Sequence, residues 1–138
     1  MSRKEDAMSF SKTISSELHD AEPVFSAALP NTETVSSNRF SCSGSQLGME
    51  LVGSLENGVT IPKDKTLSVK LLACNEPDGS YQETAVLFSA TDKALTAGEL
   101  FRFVPPSTLP FWKKVSVTTD ADLSAGAMTI RIVHKVQP

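Results

Sequence analysis

The residue types that carry catalysis or hold metals are few and scattered in this chain of 138 residues. The histidines are His19 and His134, and the cysteines are Cys42 and Cys74. A zinc site needs converging ligands, usually supplied as close pairs such as C-x2-C. No such pair is present, so neither a metal nor another cofactor is expected. Nucleophilic catalysis needs a Ser or Cys beside a base and an orienting group. There is no G-x-S-x-G elbow, and Cys74 follows Leu71-Leu72-Ala73 in a strand-like run, the setting of an inert core thiol. Glu56, Asp64, Glu76, Asp78, Asp92, Asp120 and Asp122 fall in turn-like stretches. Turn hydrogen bonding accounts for acids there before a paired-carboxylate site does. Asp120-Ala121-Asp122 lacks the glycine and terminal glutamate of a calcium loop. The chemistry on offer is therefore recognition, and no enzyme is expected. Trp112, with Lys113 and Lys114 behind it, is a candidate partner contact, as an interface anchor or a sugar platform.

The elements that must position these residues are strands. Leu67, Val69 and Leu71 alternate with Ser68 and Lys70, the period of a half-buried strand. In "ELFRFVPP" Phe101 and Phe103 face away from Leu100, Arg102 and Val104, and Pro105-Pro106 ends the run. In "PFWKKVSVTTD" Phe111, Lys113, Val115 and Val117 share one face, with Trp112, Lys114, Ser116 and Thr118 opposite. The last run sets Met128, Ile130, Ile132, His134 and Val136 against Thr129, Arg131, Val133 and Lys135. Asn57-Gly58 reads as a type I′ hairpin turn, Pro77-Asp78-Gly79 as a second turn, and "TDKALTAG" as a loop or one helical turn. "LTAG" at 95–98 and "LSAG" at 123–126 each stand before a strand, with glycine supplying backbone freedom. About eight to ten short antiparallel strands at this spacing predict an all-β sandwich, jelly roll or barrel.

Composition agrees with one domain over residues 21–138. Residues 1–20 are polar and read as a flexible N-terminal arm. Phe10, Ile14 and Leu18 recur every four residues there and are further candidate partner contacts. A net charge of −3 and a pI near 5.3 disfavour a nucleic-acid binder, which needs a basic face to displace counterions. No apolar run is long enough for a membrane-spanning helix, and the start of the chain has no secretory h-region. The expected place of synthesis is a cytoplasm, where the two cysteines read as thiols.

The segment "LTAGELFRFVPPSTLPFWKKVSVTTDADLSAGAMTIRIV" resembles the end of the jelly-roll cement, or decoration, proteins on the capsids of tailed bacteriophages. The likeness lies in a strand closed by Pro-Pro (98–106), an aromatic-led alternating strand (111–117), and an L-[ST]-A-G loop before the final strand (123–132). It implies a jelly-roll-like β-sandwich and a structural protein on the capsid exterior of the virion. The partners implied are the major capsid protein and further copies of the chain, as a homodimer or homotrimer. A carbohydrate-binding β-sandwich of a phage or bacterial surface structure is the alternative function.

Overall fold

The computed structural model describes residues 17–19, 23–41 and 49–135. Among them there are ten strands and no helix. In chain order they are β1 (Glu17–His19), β2 (Phe25–Ala28), β3 (Thr34–Ser36), β4 (Phe40–Ser41) and β5 (Met49–Leu55). They continue as β6 (Val59–Cys74), β7 (Gln82–Leu95), β8 (Gly98–Phe103), β9 (Trp112–Thr119) and β10 (Ala127–Lys135).

Every pairing is antiparallel, and the strands form two sheets. In the first, β3 and β4 share one edge of β9, followed by β6 and then β7. In the second, β1 and β2 share one edge of β10, followed by β5 and then β8. Each split edge counts as one interrupted strand, which leaves eight positions. Along the chain they alternate between the sheets, except that β6 and β7 follow each other within the first. The fold is thus a β-sandwich, one of the architectures that the spacing predicts, and its strand order is that of a jelly roll. The segment read as an arm contributes β1, while Phe10 and Ile14 lie outside the described residues.

The core lies between the sheets and follows the alternation. Leu67, Val69 and Leu71 on β6, Val115 and Val117 on β9, and Met128 and Ile130 on β10 are fully buried. Each such side chain contributes roughly 1.5–3 kcal/mol of burial. Leu51 and Leu55 on β5 and Phe101 on β8 close the second sheet onto them. Gly53 sits opposite Phe101, and a Cβ at Gly53 would overlap the Phe101 ring, so glycine there is what lets the ring lie across the strand.

Three local expectations are corrected. The Asn57-Gly58 turn does not make a hairpin, because β5 pairs with β10 and β8 whereas β6 pairs with β9 and β7. The turn carries the chain from one sheet to the other. "TDKAL" is neither loop nor helix but the end of β7, paired as far as Leu95 opposite Val59. The expectation of short strands also fails for β6 and β7, of 16 and 14 residues. Between the pairs Ile61–Lys93 and Thr66–Thr91, β6 inserts residues 62–65 against Asp92 alone. That bulge bends both strands. Asp64 and Asp92 adopt positive φ there (63° and 48°), a region aspartate tolerates better than most residues. Thr66 N–H donates to the Asp120 carboxylate at 2.8 Å and ties the bend to the β9–β10 loop.

The two L-[TS]-A-G segments prove alike at one end and different at the other. Leu95 and Leu123 are both buried plugs of the core, and the segments lead into β8 and β10 of the same sheet. Gly98 has φ +119°, as a special turn requires. Gly126 is held instead by close approach, since a Cβ would lie 3.1 Å from Leu29 and 3.2 Å from Val59. Asp122 accepts hydrogen bonds from the Ser124 hydroxyl (2.6 Å) and the Ser124 N–H (3.0 Å). This is the Asx-type turn that the residue pattern predicts, and the Ser124 hydroxyl and then its N–H lower the Asp122 pKa.

Candidate binding surface

Trp112 opens β9, opposite Ser41 of β4 and Cys74 of β6. The next pair on the far side of β6 is Ala73 with Gln82, so Tyr81 arrives at the same end of the sheet. Trp112 and Tyr81 are the chain's only tryptophan and tyrosine. The β6–β7 turn brings them together. Gly79 N–H donates to the Glu76 carbonyl at 3.1 Å, and a Cβ at Gly79 would lie 2.5 Å from Cys74 Sγ. Cys74 is a free, half-buried thiol on the side of β6 opposite the core residues, which corrects its reading as a core thiol.

Cations lie on both rings. The Arg39 guanidinium carbon is 5.7 Å from the Trp112 ring centroid, and Arg39 Nη1 donates to Asp78 Oδ1 at 2.6 Å. Lys114 Nζ is 4.6 Å from the centroid of Tyr81, whose hydroxyl donates to the Pro77 carbonyl at 2.7 Å. Such contacts are worth roughly 0.5–1 kcal/mol each at exposed sites. Phe111 packs edge-on to Trp112 with centroids 5.1 Å apart and remains 45 % exposed. Lys113 points the other way, as alternation requires. Its stem is buried and its ammonium donates to the carbonyls of Pro110 and Phe111 at 2.8 and 3.1 Å. That clamp holds the end of the β8–β9 loop and sets Phe111 at the surface.

The interruption between β3 and β4 opens a cleft beside these rings. Ser37 replaces part of the lost ladder, its hydroxyl accepting from Val115 N–H at 3.0 Å and its N–H donating to the Val115 carbonyl at 2.9 Å. Residues 37–39 then form one wall, the 77–79 turn and Tyr81 the other, with Lys114 at the base, around about 530 Å³. Burial above all, then the neighbouring Cys74 and Asp78, push the Tyr81 phenol upward against the lowering influence of Arg39.

Of the residues singled out from sequence, Trp112 belongs to this surface. Leu18 does not, because it lies on β1 of the other sheet, opposite His134. Phe10, Ile14 and Cys42 lie outside the described residues. The histidines, distant in sequence, stand on neighbouring strands, His19 opposite Val133 and His134 opposite Leu18. Among the described residues no group of three or more His, Cys, Asp or Glu could hold a metal ion. Sequence reasoning missed Arg39, Asp78, Tyr81 and Phe111. The one available signal was the aromatic Tyr81 placed just after the Pro-Asp-Gly turn.

The fold and site together define a β-sandwich that carries a cluster of aromatic and cationic side chains at one end of one sheet. No protein-family model, no curated protein and no solved structure matches the chain.

Proposed function

We propose that the chain is a capsid decoration, or cement, protein of a tailed bacteriophage. In this reading it binds the outer surface of the major capsid protein lattice and stabilises the expanded shell. The observation that carries it is the gathering of Trp112, Tyr81, Arg39 and half-exposed Phe111 at one end of a rigid sandwich. Trp, Tyr and Arg are the residues that dominate protein–protein hot spots. The layout of residues 95–132 supports the same reading through its resemblance to cement proteins. Function then comes from burial alone. Many copies, assembled as dimers or trimers, would each add a modest contact and together resist the pressure of packaged DNA.

The carbohydrate alternative asks for an open ring face. Arg39 lies over Trp112 and Lys114 over Tyr81, which favours a protein partner. The test is co-sedimentation of the purified chain with expanded, DNA-free shells of the major capsid protein from the same phage. Saturable binding to expanded shells, with little to unexpanded ones, is expected. Absence of binding at micromolar concentrations would end the proposal.

A further inference from the structure

The cations of this chain differ in how fully the protein satisfies them. Arg102 donates to both Glu50 and Glu99, at 2.8 and 3.0 Å. Lys70 reaches Glu83 at 3.2 Å, and Lys113 is held by two carbonyls. Lys114 is the exception in the cleft. Its contact is the face of Tyr81, and among the described residues no carboxylate or carbonyl takes any of its three donors. Arg39 spends one donor on Asp78, whose side chain is 84 % exposed and free to swing away. The cleft thus presents two cations against one carboxylate in a chain whose net charge is −3.

We infer that the cleft takes an acidic peptide segment of the partner, with its carboxylates received by Lys114 and Arg39 above the rings of Tyr81 and Trp112. That the partner is the capsid lattice rests on the function proposed above; the chemistry of the cleft does not. The rings hold both cations in place before a ligand arrives, and the Tyr81–Pro77 hydrogen bond fixes one of those rings. Prior placement lowers the ordering cost of binding. A nucleic acid is the poorer ligand, because two cations displace few counterions. A sugar is poorer as well, because stacking would first have to lift the cations from the rings.

Trp112, as the sole tryptophan, makes the test direct. The full chain is titrated with a short Glu/Asp-rich peptide and with its Gln/Asn counterpart, and Trp112 fluorescence is followed. The acidic peptide should give a saturable change that weakens with salt, and the neutral peptide none. Lys114→Gln and Arg39→Gln should each weaken binding roughly ten- to a hundred-fold, the range for one charged hydrogen bond. Equal responses to the two peptides, no response to either, or Lys114→Gln affinity within about twofold of wild type would overturn the inference. So would glycan-array binding that the acidic peptide does not compete. The shell assay separates this inference from the function. Shells that bind wild type and Lys114→Gln equally refute the cleft and leave the cement reading. Peptide binding that depends on Lys114, without shell binding, does the reverse.

Discussion

On the outer side of the second sheet, Arg102 of β8 is enclosed by Glu50 of β5 and Glu99 of its own strand. At the end of the first sheet, Arg39 and Lys114 lie on aromatic rings instead. Both arrangements hold a cation still, but only one uses up its charge. Carboxylates around Arg102 satisfy its donors and leave little for a visitor. Rings orient Arg39 and Lys114 while their donors stay available. The first arrangement joins strands, and the second leaves donors of both cations open.

The largest expected effect removes the support of the paired region. In Gly53→Ala the new methyl meets the Phe101 ring, which cannot retreat because it is buried and stacked 6.5 Å from Phe88. A loss of about 1–3 kcal/mol is expected from such overpacking, read by urea denaturation. An unchanged midpoint would mean that the two aromatic rings repack freely. A more pointed comparison sets Arg102→Met beside Lys114→Gln. The first takes the Arg102 cation away from Glu50, which is only 13 % exposed, and should cost about 1 kcal/mol given that Arg102 is itself one-third exposed. Lys114→Gln should stay within about 0.5 kcal/mol of wild type in the same denaturation series. Equal losses would erase the distinction between the regions.

The smallest effect concerns pH. The Tyr81 pKa is raised above its ordinary value of 10.0, burial being the leading cause. The folded state thus favours the neutral phenol, which also donates to the Pro77 carbonyl. This contribution is complete below the unfolded-state pKa and is lost as pH rises through the folded-state value. Absorbance at alkaline pH should show the only tyrosine ionising above 10.0. The melting temperature of wild type should then fall more steeply over that range than that of Tyr81→Phe. Parallel curves would show that the phenol is not shielded.

Alternation made the inner faces of β8, β9 and β10 legible, because each strand has one face against the core. Lys113 shows how literal that reading is: it faces inward where its position demands, and loop carbonyls meet its charge. The bend in β6 was not legible. Pro62-Lys63-Asp64-Lys65 is wholly exposed in a bulge, and a polar exposed stretch carries the same composition as a loop. The Asn57-Gly58 turn misled because local turn chemistry does not specify which sheet the next strand joins. The candidate surface was legible only at Trp112. Arg39, Tyr81 and Trp112 are far apart in sequence and meet through the register of β4, β6 and β9.

The interrupted edges have a further consequence wherever copies of the chain come close together. A free strand that began to zip onto β3 or β4 would run out of ladder after three residues or two. On the opposite edge, β7 carries extra residues where its register against β6 shifts, at Thr84 and Leu87. Bulges and short edges are poor templates for strand addition. The first sheet therefore resists open-ended polymerisation from either side, and the break that opens the cleft also keeps neighbouring copies from fusing edge to edge.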